Sequence, residues 1–347
     1  MSFIKFNPKD KRKVLTLPGT RQNSSKNVLL TPSGIISLDP VIGGGVTLGT
    51  VNLIEEDGSG QFAQLFLKFF MSEGIMWKHV IFNASLDVDP SKLINELPGP
   101  VNLDDPYFKS DGSDSSGELK IAWRYQNQPS VQSSLSTNSS LSHIFDVTNF
   151  MTQDTINDTD ISLWPPKDGE EISYDDLIKA IHKKIQAGGF LSSLPMPRKN
   201  VLRISLHNIG SPLFVGDIAK FFYELRSLMK HSNAVCCVSI PTHLLEEKEI
   251  SACEHLSDSV LKLVSLVNSE DRSLSEYHGL LTIKKLPAVN SLAFHIPPGT
   301  DWAFKLRKRR FIIEKFHLPP ELQESDQREQ DDFAGTCGTS SKSKLDF

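Results

Sequence analysis

The stretch Thr50-Val51-Asn52-Leu53-Ile54-Glu55-Glu56-Asp57-Gly58-Ser59-Gly60-Gln61-Phe62 reads as an apolar strand running into a glycine-bearing turn. A helix follows. Phe62, Leu65, Phe66, Phe69 and Phe70 fall at i, i+3, i+4, i+7 and i+8, one wide apolar stripe, with Gly74 placed as its stop. A working phosphate loop, G-x-x-x-x-G-K-[ST], cradles phosphates with backbone N–H groups. Its Lys meets the β and γ oxygens and its hydroxyl coordinates Mg²⁺. Here Gly58, Ser59, Gly60 and Gln61 keep the turn and the helix N-terminus, a weak anion cradle. Gln61 and Phe62 stand where the lysine and the hydroxyl belong. One unit charge pair at ~4 Å and an effective dielectric of ~20 is worth roughly 4 kcal/mol gross, about a thousandfold in affinity. Glu55, Glu56 and Asp57 put three further negative charges at the entrance. Three readings stay open: a strand–turn–helix corner with no ligand, weak or partner-assisted nucleotide binding, and an autonomous nucleotide-hydrolysing enzyme.

The 347 residues carry a formal charge of −5, and 39% are hydrophobic, with 20 Phe. That supports one large domain or two small ones and excludes a uniformly basic nucleic-acid coat; contact with nucleic acid needs a local patch. Cys236, Cys237, Cys253 and Cys337 form no C-x-x-C pair and read as small core residues in a reducing compartment. The first residues lack the apolar segment of a signal peptide, and no run of ~18 apolar residues occurs. The expectation is a soluble, intracellular protein. The basic run at 9–13 is either a nuclear address or a solvated tail.

Residues 1–27 read as a disordered arm, with order beginning near Leu29. Beyond the helix come a strand at His79–Ala84 and a short helix from Asp89-Pro90 through Leu97. Residues 98–169 read as a polar insertion holding one apolar-aromatic island, Leu119–Tyr125. Ser173–Asp176 caps a helix with Leu177, Ile178, Ile181 and Ile185 on one face, stopped by Gly188-Gly189. A strand at Val201–Leu206, a helix at about Val215–Lys230 and a strand at Ala234–Ile240 follow. Val260–Val267 and Gly279–Lys285 are placed to extend the sheet in antiparallel fashion. Strands alternating with helices predict an α/β fold, a mostly parallel twisted sheet covered on both faces. The tail 321–347, with seven acidic and three basic residues, reads as disordered.

Other chemistry is sparse. Val201–Leu206 ends in His207-Asn208 where a Mg²⁺-holding Asp would stand. Asp87 and Asp89 follow the second strand, Asp89 as an N-cap, and His207 reads as a strand-end residue. The histidines form no metal spacing and no nucleophile signature is present, so neither a catalytic residue nor a metal site is predicted. Lys305, Arg307, Lys308, Arg309 and Arg310 place five basic residues in six positions. They read either as a solvated helix face or as an RNA-backbone contact anchored by Phe304 and Phe311.

Ser33-Gly34, Leu38-Asp39, Gly43-Gly44-Gly45, Gly49 and Leu53-Ile54-Glu55 resemble the start of RecA/KaiC-type ATPase domains. Ile121–Tyr125, Asn208–Pro212, Pro241-Thr242-His243, Tyr277–Leu280 and Phe316–Pro320 narrow the likeness. From about Gly19 to Leu322 the chain resembles the PAXNEB-like family of Elongator subunits. The resemblance implies a RecA-like fold with a degenerate nucleotide loop and one domain over 28–320. It also implies a hetero-hexameric ring with two related RecA-like subunits, joined to the catalytic Elongator subcomplex. That assembly binds tRNA and installs carboxymethyl-type groups on wobble uridine, in cytoplasm and nucleus, away from membranes. ATP, not tightly held by one chain, is associated with the ring interfaces and with tRNA release. Carbon transfer belongs to another subunit. A free-standing RecA/KaiC-type ATPase and a free-standing RNA-binding protein are the rival expectations.

Overall fold

Every residue of Val51–Glu56 is buried, as a strand covered on both faces requires. It lies inside a nine-stranded sheet. A computed structural model describes residues 17–23, 28–58, 60–101, 141–165, 172–194, 200–267, 274, 276–290, 295–307 and 309–316. In chain order the elements are β1 (Arg21–Asn23), β2 (Val28–Thr31), β3 (Val46–Thr47), β4 (Val51–Glu56), α1 (Phe62–Met76), β5 (Val80–Ala84) and α2 (Pro90–Asn95). β6 (Pro98–Pro100), β7 (Phe145–Phe150), α3 (Gln153–Asn157), β8 (Ile161–Trp164), α4 (Tyr174–Ala187), β9 (Leu202–Leu206) and α5 (Ile218–Lys230) come next. β10 (Ala234–Pro241), α6 (Glu247–Leu256), β11 (Ser259–Ser265), β12 (Gly279–Lys285), β13 (Asp301–Arg307) and β14 (Arg310–Lys315) complete the series.

The large sheet runs β8-β5-β9-β10-β4-β11-β12-β13-β14. The strands from β8 to β11 are parallel, and β12, β13 and β14 continue antiparallel. Alternate residues feed two cores. Val51 and Leu53 join a cluster with Leu177, Ile181, Phe221 and Phe222 of α4 and α5. Ile54 joins Phe66, Phe70 and Met71 of α1 on the opposite face. The helix caps follow the sequence. Asp89 Oδ1 accepts from Ser91 N at 2.9 Å, Ser173 Oγ accepts from Asp176 N at 3.2 Å, and Asp217 Oδ1 accepts from Ala219 N at 2.8 Å.

Four expectations change. Residues 17–23 are not an unstructured arm: Leu17 is buried, and β1 pairs antiparallel with β2. The insertion is shorter than 98–169, because β8 is a full member of the sheet beside β5 and β6 pairs with β7. Val101 N donates to Ile144 O at 2.8 Å, closing the stretch between them. Gly74 does not stop α1, which runs on to Met76. It makes room: a Cβ there would stand 2.7 Å from Arg203 Cδ. Finally, the basic run is no helix face but the end of the β13–β14 hairpin. The island Leu119–Tyr125 and the tail from 317 lie outside the described residues.

Arg203 is fully buried, a costly state unless every donor is matched. Nε donates to His79 Nδ1 at 3.0 Å, Nη1 to Phe70 O at 2.9 Å, and Nη2 to Thr31 Oγ1 at 2.7 Å and Pro32 O at 2.9 Å. Burial and the adjacent guanidinium push His79 down to about 3, so the neutral ring accepts from Arg203 and donates from Nε2 to Pro18 O at 2.9 Å. One guanidinium thus ties α1, β2, β5 and β9 together. Arg203→Met should cost about 3–5 kcal/mol in urea unfolding, because its acceptors would be left buried and unpaired; a loss below about 1 kcal/mol would contradict that accounting.

Candidate functional site

β4 ends at Glu56 between β10 and β11. After β4 the chain crosses to β5 on one side, whereas after β10 it crosses to β11 on the other. The crevice at the carboxyl ends of these strands is the ligand position of open α/β sheets. The turn that should hold phosphate therefore stands in the right place.

Its seat is taken. Glu56 Oε1 accepts from Phe62 N at 2.7 Å and from Ala63 N at 2.9 Å. These are unpaired first-turn amides of α1, the groups a helix N-terminus offers to an anion. Thr242 Oγ1 donates to Glu56 O at 2.7 Å, fixing the residue from the β10 side. Burial pushes the Glu56 carboxyl up to about 7, Asp57 adds to the rise, and the two amides pull against it. Gly60 takes φ +66, which its lack of a side chain permits. Gln61 is exposed at the N-cap and makes no side-chain cap bond. Ser59 lies outside the described residues.

The neighbouring acids do not form a charged entrance, contrary to the sequence expectation. Glu55 and Glu56 are buried. Glu55 Oε2 meets Lys284 Nζ at 2.6 Å, and the same ammonium meets Glu254 Oε1 at 2.5 Å. Asp57 Oδ2 accepts from Ser265 N at 2.5 Å. The acids bolt β4 to β11, β12 and α6. Phe62, at the hydroxyl position, stacks edge-on against buried Phe304 of β13 at 4.7 Å, and Phe304 meets Phe311 of β14 at 5.4 Å. A ring there cannot ligate a metal.

At the end of β9, His207 is buried, with Nδ1 3.1 Å from Ser85 Oγ. Burial pushes it down to about 4, partly offset by the charge of Asp87. Asn208 Nδ2 and Ser211 Oγ donate to the two oxygens of Asp87 at 2.6 and 2.7 Å. Asp87, which follows β5, is thus committed to the loop that follows β9. Among the described residues no cluster of three His, Cys, Asp or Glu is placed to hold a metal. Mg²⁺-nucleotide does not fit this turn, since a carboxylate fills the phosphate position and an aromatic ring the metal position.

The basic residues divide. Lys305 Nζ meets Glu314 Oε1 at 2.6 Å and lies over the Tyr277 ring at 5.2 Å. Arg309 Nη1 is 3.7 Å from Asp146 Oδ2. Arg307 is exposed opposite Arg310 in the hairpin register, and Lys308 lies outside the described residues. The turn and the hairpin are joined through Phe62 and Phe304, which sequence spacing could not reveal. The role of Glu56 was equally hidden: it sits six positions before the amide it caps, outside the three-residue reach of a capping box.

An α/β protein with a mostly parallel sheet and a turn capped from within at the end of its central strand is what these features define. The chain belongs to the PAXNEB protein family, whose model matches residues 13–347. It is 35% identical over 374 residues to Elongator complex protein 4 of Danio rerio, covering 96% of this chain and 93% of that one. The Homo sapiens protein of the same name is 33% identical, covering 91% and 83%. The Saccharomyces cerevisiae one is 21% identical, covering 87% and 76%. Among solved structures, a KaiC-like protein from Pyrococcus horikoshii superposes with a TM-score of 0.45 at 14% identity, covering 83% of this chain and 99% of that one.

Two outcomes test the closed turn. Gln61→Lys with Phe62→Thr should leave ATP hydrolysis by the isolated chain undetectable in a phosphate-release assay, because Glu56 and the missing metal carboxylate remain. The folded state holds the Glu56 proton at about 7 against an ordinary 4.5. Its contribution is therefore complete below 4.5 and lost as pH rises through 7. Glu56→Gln should gain melting temperature relative to the parent across that window, and a difference that is flat with pH would refute the buried carboxyl.

Proposed function

We propose that this protein is a non-catalytic subunit of an Elongator complex. In this reading it assembles with two related RecA-like subunits into a hetero-hexameric ring that binds tRNA and supports carboxymethyl-type modification of wobble uridine. The observation that carries the proposal is 35% identity, over 96% of the chain, to a protein named Elongator complex protein 4. The closed turn supports a role in architecture: a RecA-like core that holds no nucleotide of its own still offers the shape that stacks against related subunits. ATP, where the assembly uses it, would then sit between subunits. The reading places the protein in cytoplasm and nucleus, with the catalytic Elongator subcomplex as its further partner and no membrane involved.

The hairpin is the proposed RNA contact. Lys305 is already neutralised by Glu314, so Arg307 at the exposed end is the stronger candidate, with Lys308, Arg309 and Arg310 beside it. Phosphate contacts of this kind act through counterion release, so salt dependence reports them. Replacing all five basic residues with Ala should weaken tRNA binding by the ring and flatten its plot of log affinity against log salt. Arg307→Ala alone should lower that slope by roughly 0.7–0.9 if it meets one phosphate, and an unchanged slope in the fivefold variant would refute the RNA role. Co-expression with the two related subunits should give a stable hexamer by native mass spectrometry; its absence would remove the ring. Deleting the gene should lower modified wobble uridine in bulk tRNA by nucleoside mass spectrometry, and unaltered levels would remove the functional assignment.

A further inference from the structure

We infer that Glu56 is a built-in occupant of the phosphate seat, a carboxyl group of the chain itself that holds the turn closed to external anions. The missing lysine and hydroxyl explain why a nucleotide would bind weakly. They leave a cradle open to a simple anion, because backbone amides at a helix N-terminus suffice to bind one. Here two of the four free amides at that end, those of Phe62 and Ala63, are already taken by one oxygen, at 2.7 and 2.9 Å.

Two independent features mark the arrangement as occupancy of a ligand seat. The first is how Glu56 arrives. The residue is 2% exposed and belongs to β4, so an external anion can take the Phe62 and Ala63 amides only by displacing it. The fit is also incomplete: Oε2 is buried with no hydrogen-bond partner among the described residues. A phosphate would bring more oxygens to the same donors, and a buried acceptor with no donor is rare in native folds. The second feature is space. A Cβ on Gly60 would meet nothing within 4 Å among the described residues, so no described side chain covers the turn at that point. An intrachain competitor needs no encounter and is present in every molecule. Closure is then a property of the fold and is reversible by removing one side chain.

The inference does not rest on the Elongator reading, and its test needs neither tRNA nor partner subunits. In the full chain, amide hydrogen exchange by NMR should show Phe62 and Ala63 protected in the parent and in Glu56→Gln, whose amide oxygen still accepts. Glu56→Ala should speed exchange at both positions by about tenfold, the upper end of what one neutral hydrogen bond confers. Titrating inorganic phosphate into Glu56→Ala should shift the Phe62 and Ala63 resonances saturably, with about tenfold tighter binding than the parent, as expected for an anion at a vacated helix N-terminus. Fast exchange of the two amides in the parent would overturn the inference. So would a folded Glu56→Ala that binds phosphate no better. Should that variant fail to fold, parent against Glu56→Gln still decides: unprotected amides in either contradict the occupied seat.

Discussion

A largely buried helix of fifteen residues must find partners inside the protein for most of its polar groups. That constraint governs this molecule. At the N-terminus of α1 the partner is Glu56. At its C-terminal end, fully buried Glu73 accepts from Trp77 Nε1 at 2.9 Å and from His143 N at 3.0 Å. Between them the Phe70 carbonyl receives the Arg203 guanidinium at 2.9 Å, and Gly74 exists to let that side chain past. Glu56 thus caps free first-turn N–H groups, Arg203 adds a donor to a helix carbonyl, and Glu73 finds donors for its own buried carboxylate.

Loss of nucleotide chemistry and gain of architecture are two sides of the same substitutions. The residue that replaces the metal-binding hydroxyl is the ring that joins α1 to the β13–β14 hairpin through Phe304. The acid that would repel a polyphosphate is the cap of the helix. Restoring the motif residue by residue would therefore remove packing and capping before it restored binding, and the corner is held in its present form by stability.

The α/β class, the order of most elements and the strand–turn–helix position were legible because they depend on short-range signals. These are the stripe from Phe62 to Phe70, the caps Asp89 and Ser173, and the apolar runs at β9 and β10. Three kinds of feature were not. Close approach leaves no periodic trace, so Gly74 looked like a helix stop. Burial of charge is decided by distant partners: Glu55 by Lys284, over two hundred residues away, and Arg203 by Thr31 and Pro32. Strands of mixed composition, such as β8 at the sheet edge and β13 beside the last strand, carry weak alternation, so one was absorbed into an insertion and the end of the other read as a helix face or an RNA contact. The family resemblance rested on short motifs, and the structure gives one of them a physical basis: Gly279, within Tyr277–Leu280, faces the Phe304 ring at a distance no Cβ could share.

The closure of Val101 on Ile144 has a practical consequence. Because the two flanks are already paired, the chain between them starts and ends at fixed, adjacent points of the fold. Closing a flexible loop costs about 0.6 kcal/mol more for each doubling of its length. A fluorescent domain or affinity module spliced into that interval would leave the sheet, the helix ladder and the hairpin in register. That interval offers a site for following the protein while both termini stay native.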